Sequence, residues 1–411
     1  LLARERGLEA DLEGFERAME EQRERSRRAA RFYHAADGEA LEWTVLSDGA
    51  HSVFRGYEAL EVETRIRRWA PIRSAEGGPA APAEFWVVLA ETPFYAESGG
   101  QVGDHGVLAG PGFRAAVTDT RRAGDEIRHR TRLEEGTFPD GPITASVTDD
   151  ERWDTMRNHT ATHLLQAALR RVLGPHVQQA GSLVAPDRLR FDFTHPRGLT
   201  AEEIAAVEDI VNEEILRDEG VQAVESSYDE AIRDGVTALF GEKYGDRVRR
   251  IEVGSFSREL CGGTHVSRTG QIGGFLLVAE SGIAAGTRRV EALTGRATVR
   301  EARRALRTLG ALQRQLPGGG EVPERVESLQ QELRRLQKQV QELKSRGPGD
   351  ALAGLFEGAQ ALPGGSLLCG SLEAEEGTDL RALGDRLRER LKSGAGLVAV
   401  RAGKKTTLLA V

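Results

Sequence analysis

Two short motifs in this sequence carry metal-binding side chains at spacings that fit one ion. The first is Asn158-His159-Thr160-Ala161-Thr162-His163-Leu164-Leu165, on a predicted helix that stops at Gly174-Pro175. At about 100° per residue, its two imidazoles lie about 40° apart on one face. Ala161, Leu164, Leu165, Ala168 and Val172 centre on roughly the opposite face, so the histidines are not part of the apolar stripe. Imidazoles at i and i+4 suit a zinc ion. A metalloprotease helix places Glu directly after the first His. Here that residue is Thr160, which removes the general base and with it most of the protease reading. The second motif, Cys261-Gly262-Gly263-Thr264-His265, sets a thiol and an imidazole around a Gly-Gly turn that folds both toward one point. One thiolate and three imidazoles form a strong zinc set. Taken alone, these residues leave two readings open: a site that does chemistry, and a closed four-ligand zinc that only braces the fold.

The elements that must position these groups are legible as changes of texture along the chain. Residues 1–32 are rich in Arg and Glu, with Leu8, Leu12, Phe15 and Met19 at helical spacing, and predict a solvated linker helix. Short β-like runs with Gly turns follow over 33–150, among them Ala83–Ala90, Phe113–Thr118 and Ile143–Thr148, and predict a small β-barrel or sandwich. Inside that stretch, Ser98-Gly99-Gly100-Gln101-Val102-Gly103-Asp104 is dense enough in glycine to admit a close backbone approach to a ligand. An ordinary turn cluster is the plainer alternative.

Residues 151–295 mix helix and strand. Thr200 and Glu203 form a capping box, Leu199 and Ile204 a staple, and Ile204, Val207, Val211 and Ile215 a buried stripe, with Gly220 expected as the stop. Strands are expected at Val221–Val224, Arg249–Val253 and Gly274–Ala279, which makes this part α+β. Over 296–347, Val322, Val326, Leu329, Leu333, Leu336, Val340 and Leu343 follow a heptad. That pattern fits a helical hairpin packed on itself as well as an intermolecular coil. Residues 348–411 predict strands at Ser366–Cys369, Leu397–Val400 and Thr406–Val411 around a helix at Asp379–Leu391.

Composition narrows the function classes. Hydrophobic residues make up 39 % of the 411, enough for buried cores, yet no run approaches the 18 or so apolar residues of a membrane span. The net charge of −8 argues against a non-specific nucleic-acid binder, so any RNA contact must come from local patches and shaped pockets. Only Cys261 and Cys369 occur, which excludes a disulfide framework and fits a reducing, cytoplasmic setting. The first residues lack a Met and read as the middle of a helix, and Val411 falls on a core-like strand, so both ends are expected to be cut from a longer chain.

Read together, HTATHLL and CGGTH resemble the editing domain shared by alanyl-tRNA synthetases and free-standing alanyl-tRNA editing proteins, with a related domain in threonyl-tRNA synthetases. Gln179-Ala180-Gly181-Ser182, Arg190-Phe191-Asp192-Phe193, Gly286-Thr287-Arg288-Arg289-Val290-Glu291-Ala292 and the loop Gly99–Asp104 also look like signatures of that family, in its order. The resemblance implies an α+β multidomain chain: a linker helix (1–32), a β-barrel subdomain (33–150), a two-layer α/β zinc-containing editing domain (151–295), a helical coiled-coil segment (296–347) and a truncated C-terminal α/β domain (348–411). It implies zinc held by His159, His163, Cys261 and His265, and Gln179 as the catalytic polar partner of the substrate. Gly99, Gly100, Gln101, Arg288 and Arg289 are expected to meet substrate or tRNA.

The implied reaction is hydrolysis of Ser-tRNA(Ala) and Gly-tRNA(Ala) at the ester to the terminal ribose. An alanine pocket rejects glycine by only about 1–3 kcal/mol and tolerates an added hydroxyl, so a second, hydrolytic site is needed. The parent enzyme would attach alanine with ATP, an activity not expected of this chain alone. Two other readings stand beside it: an editing protein acting in trans, and a non-catalytic zinc-braced tRNA-binding module. The mischarged acceptor end of tRNA(Ala) is the expected partner, with no membrane and with a homodimer through the coiled coil or C-terminal region as a further expectation.

Overall fold

Alternation of buried and exposed residues sets the first element. In Pro142–Val147, Ile143, Ala145 and Val147 are buried and their neighbours are not, as a strand with one face on a core requires. A computed structural model describes residues 41–49, 52–72, 84–236, 245–316, 319–374 and 378–411; the linker helix expected over 1–32 lies outside the described residues. Two compact units divide the chain, the first ending at Arg303 and the second beginning at Arg304.

The first unit opens with strands β1 (Thr44–Val45), β2 (Val53–Phe54), β3 (Glu61–Pro71), β4 (Glu84–Leu89), β5 (Glu91–Thr92), β6 (Gly106–Gly110), β7 (Phe113–Ala123), β8 (Glu126–Glu135) and β9 (Pro142–Val147). The order β3-β4-β8-β7-β6-β9 returns to β3 through β9–β3 pairing, closing a six-stranded antiparallel barrel as expected from the sequence. Ile66, Val87, Leu89, Leu108 and Ile143 belong to its core. His129 sits there too: its Nδ1 faces the Val87 carbonyl at 2.9 Å and its Nε2 the Thr92 hydroxyl at 2.8 Å. Burial outweighs the Val87 hydrogen bond and lowers its pKa to about 4.

Helix α1 (Asp149–Leu173) leaves the barrel with Asp149, Asp150 and Glu151 in its first turn and Arg170 and Arg171 in its last, matching the helix dipole at both ends. Strands β10 (Gln179–Val184) and β11 (Leu189–Thr194), helix α2 (Ala201–Leu216), strand β12 (Val221–Ser227), helix α3 (Tyr228–Arg233) and strands β13 (Arg247–Val253), β14 (Ser257–Leu260), β15 (Phe275–Ala284) and β16 (Thr287–Thr294) complete the unit. An antiparallel sheet of order β10-β11-β16-β15 shares one core with α1 and α2, the two-layer arrangement expected, and β12-β13-β14 form a separate sheet. The predicted capping box is present, with Glu203 N–H donating to Thr200 Oγ1 and Thr200 N–H to Glu203 Oε2. The predicted stop is not: α2 ends at Leu216, and Asp218 takes the left-handed conformation (φ 52°) ahead of Gly220. The Asp218 carboxylate accepts from Arg268 Nε and Gly270 N–H, which holds an Asp in a geometry usually left to glycine.

Helix α4 (Gly295–Gln315) crosses the division between the units. In the second unit, α5 (Val322–Glu357) runs without a break past residues 347 and 348, and Leu352 and Leu355 join the core of a small sheet. That sheet has strands β17 (Gln360–Leu362), β18 (Gly365–Ala374), β19 (Gly394–Ala402) and β20 (Lys405–Ala410), in sequence order. Helix α6 (Leu380–Leu391) supplies the crossover that the parallel β18–β19 pair requires. Of the predicted heptad seam, Val322 is buried and Val326, Leu329, Leu333, Leu336 and Val340 are exposed, while the Leu343 side chain lies outside the described residues. No helix among the described residues is long and apolar enough to cross a membrane.

Candidate metal centre

Helix α1 is buried on every side from Asn158 to Gln166, so the histidine face is covered as fully as the apolar stripe behind it. What holds the helix there begins one turn from its start. The Arg152 guanidinium is completely buried, donates to the carbonyls of Gly56 and Pro93 at 2.7 Å each, and pairs with the Asp104 carboxylate at 3.0 Å from Nε. Asp104 ends the glycine-rich barrel loop and also accepts from Tyr95 N–H at 2.6 Å. The ion pair therefore fastens α1 to the barrel.

The His159 and His163 rings stack at 7° to one another. Opposite them, β14 runs into Cys261, and the turn after it delivers His265. One donor atom from each of these four side chains lies within 4.8 Å of all the others. Three clamps set that turn. Arg249 donates to the carbonyls of Cys261 and Gly263, at 3.0 and 2.9 Å. Tyr57 donates to the Gly262 carbonyl at 2.5 Å. Gly263 packs so closely that a Cβ on it would stand 2.0 Å from His159 Cε1, so only glycine fits.

The hydrogen bonds fix which nitrogen of each histidine is free. Gln101 Oε1 accepts from the Thr264 backbone N–H at 3.0 Å, so this atom is the amide oxygen, and at 2.7 Å it faces His159 Nδ1. His163 Nδ1 lies 2.6 Å from the Glu259 carboxylate. His265 Nδ1 lies 3.2 Å from Thr160 Oγ1, whose own proton goes to the Met156 carbonyl. With the three Nδ1 atoms donating outward, every Nε2 presents a lone pair to the common point. His159 Nε2 and His265 Nε2 each lie 3.3 Å from Cys261 Sγ. His163 Nε2 is buried without a hydrogen-bond partner. A buried orphan nitrogen aimed at a thiol and two lone pairs fits a soft divalent cation.

The electrostatics agree with this fit. Burial alone would raise the Cys261 thiol, but His159, His265 and His163 hold it well below its usual value, toward the thiolate a metal needs. Burial, reinforced by His159, lowers His265 to about 3 and keeps it neutral. Burial also pulls His163 down, yet the Glu259 carboxylate and Cys261 outweigh it and raise it to about 10. A cation at Nε2 takes the place of that proton.

Beside the cluster opens a cavity of about 260 Å³, with Tyr95, Gly99, Thr162, Gln179 and Arg247 in its walls. Gln179 opens β10, beside a register shift between Gln179 and Gly181, and its Nε2 donates to Ser182 Oγ at 3.1 Å. Ser182 needs glycine at 100, since a Cβ there would lie 2.3 Å from its Oγ. The structure places the other residues expected at the site as follows. Gln101 is fully buried, and its amide is spent on His159 and Thr264. Arg288 is outside the cavity wall and pairs with Glu280 at 2.6 Å; Arg289 grips Asp192 through two bonds of 2.6 and 2.7 Å. The Arg-Phe-Asp-Phe and Arg-Arg-Val-Glu signatures are thus β11 and β16 paired in register, with Phe191 and Val290 in the core. Sequence reasoning missed Arg152, Arg249, Tyr57 and Glu259. Arg249 lay in a predicted strand without a role, and Glu259, two residues before Cys261, lay in no predicted element.

Two family models match: the one described as tRNA synthetases class II (A) over residues 1–152, and the one described as threonyl and alanyl tRNA synthetase second additional domain over residues 248–291. The alanine–tRNA ligase of Xanthomonas axonopodis pv. citri (strain 306) is 43 % identical over an alignment covering 100 % of this chain and 46 % of that protein. The alanine–tRNA ligase of Xanthomonas campestris pv. campestris (strain B100) gives the same identity and the same shares. The chain therefore spans about half the length of these curated relatives.

Proposed function

We propose, for a chain that belongs to the alanyl-tRNA synthetase family, that the cavity beside the four-residue cluster hydrolyses tRNA(Ala) wrongly charged with serine or glycine. The observation that carries this reading is the convergence of three Nε2 atoms and one thiol on the wall of a cavity that Gln179 also lines. His159, His163, Cys261 and His265 would hold one zinc ion. When bound, zinc supplies a positive centre that orients the amino acid of the ester; with four protein ligands, positioning is favoured over activation of water. Gln179 offers the side-chain amide that a serine hydroxyl would meet, while Gly99 leaves room for the backbone of the acceptor end. The relatives are named alanine–tRNA ligases, and we propose that this segment clears the errors of such a ligase.

Release of labelled serine from pre-charged tRNA tests the reading. Ser-tRNA(Ala) is expected to be cleaved about ten- to a hundredfold faster than Ala-tRNA(Ala), because alanine lacks the hydroxyl that the half-buried Gln179 amide would meet. Gln179→Ala is expected to lose much of this rate and keep its zinc. Equal rates on both esters would sink the editing role, and no hydrolysis by zinc-loaded protein would favour a binding module.

A further inference from the structure

The outer nitrogens of the three histidines do not have equivalent partners. His159 meets the neutral amide of Gln101, and His265 meets the neutral hydroxyl of Thr160. His163 alone meets a carboxylate, Glu259 Oε2 at 2.6 Å. Glu259 is 6 % exposed; its other oxygen accepts from Ser257 Oγ at 3.2 Å. Among the described residues it has no Arg or Lys ion-pair partner. A carboxylate buried this way is costly unless a positive charge lies near it, and a neutral imidazole provides none. Its place in the chain follows from the strand pleat, which sets Glu259 and Cys261 on one side of the chain, two residues apart.

We infer that Glu259 is a positioning residue that completes the charge of the centre: through His163 it supplies the second negative charge which, with the Cys261 thiolate, neutralises a buried divalent ion. This rests on the zinc reading above. Gln101 and Thr160 aim their imidazoles without adding charge; Glu259 aims His163 and adds charge as well. Arg249, the nearest cation to the turn, directs its guanidinium to the carbonyls of Cys261 and Gly263. Among the four coordinating side chains and the side chains that meet their Nδ1 atoms the charges of such a centre would balance, with Arg249 held apart on backbone carbonyls. Such balance also makes the ion a poor acceptor of further electron density, in keeping with a role in positioning.

Competition with a chromophoric zinc chelator, run on the full chain, measures the effect directly. Wild type is expected to bind one zinc, and zinc-free wild type would overturn the zinc reading itself. Glu259→Gln keeps an accepting oxygen for His163 and removes the charge. It is expected to bind zinc about ten- to a hundredfold more weakly, with an unchanged circular dichroism spectrum. The double variant Gln101→Glu, Glu259→Gln moves the charge to the far side of the centre. A carboxylate at 101 can still accept from His159 and from Thr264 N–H, and it is expected to recover a clear part of the lost affinity. Affinity in Glu259→Gln within about twofold of wild type, or a double variant no tighter than the single one, overturns the inference. If Glu259→Gln does not fold, Glu259→Asp carries the test. With its charge retained, it must stay within about tenfold of wild type, and a larger loss overturns the inference.

Discussion

Helices α1 and α5 are both long and both carry apolar residues at helical spacing, yet their surroundings are opposite. From Asn158 to Gln166, α1 is buried all round, including His159, Thr160, Thr162, His163 and Gln166. Along α5, Leu329, Leu333, Leu336 and Val340 are exposed although their heptad is regular. Apolar periodicity therefore marks where a helix can pack, and does not by itself say that it does. Burial of polar side chains is the more informative signal, because each one needs a partner to be tolerated. On α1 those partners come from the barrel loop, from β14 and from the turn after it, and they converge on one cavity.

The contrast can be broken by substitution, and the largest effect is expected at Arg152. Arg152→Ala leaves the Asp104 carboxylate buried without its cation and is expected to destabilise the first unit by about 3–5 kcal/mol in urea unfolding. An effect below 1 kcal/mol, on the order of an exposed pair, would mean that the barrel does not hold α1 through this pair. Leu164→Ala, in the stripe behind the histidines, is expected to cost about 2–5 kcal/mol by loss of packing.

His129 in the barrel gives a pH-dependent counterpart. Its folded pKa of about 4 lies below the value of about 6.5 of an unperturbed imidazole. The unfolded chain therefore takes up its proton first as the pH falls. The stability from burying neutral His129 is complete above pH 6.5 and is lost on descending toward 4, in total about 3 kcal/mol. His129→Gln is expected to flatten this part of the stability–pH profile, and an unchanged slope would remove His129 as its source. The smallest effect is expected on α5: Leu333→Ala should change the stability of the dilute protein by no more than about 0.5 kcal/mol. A cost equal to that of Leu164→Ala would show that the seam is covered in solution, and the contrast between the two helices would fall.

These helices also show what was legible in the sequence. Local rules held: β-like runs between Gly turns located β4 and β9, the Thr200–Glu203 box located the start of α2, and the i, i+4 histidines with Cys261 and His265 marked a cluster that the fold brings together and that could hold a metal. Much of what orients that set lies far away in sequence. Gln101 is 58 residues from His159, and Tyr57 is 205 residues from Gly262. No periodicity encodes such pairings; they exist only once the barrel has closed and α1 has docked. The same reason explains why the partners of Gln101 and Arg289, the Thr264 backbone N–H and the Asp192 carboxylate, were not legible in the sequence. It also explains Asp218, whose left-handed backbone depends on Arg268 and Gly270, fifty residues and more downstream.

X-ray absorption at the zinc edge of the purified chain tests the central claim most directly. The arrangement of three Nε2 atoms and one thiolate predicts one sulfur at about 2.3 Å and three nitrogens at about 2.0–2.1 Å around a single zinc. In Cys261→Ala the sulfur shell is expected to disappear. A wild-type spectrum without sulfur, or one unchanged in Cys261→Ala, would contradict the account.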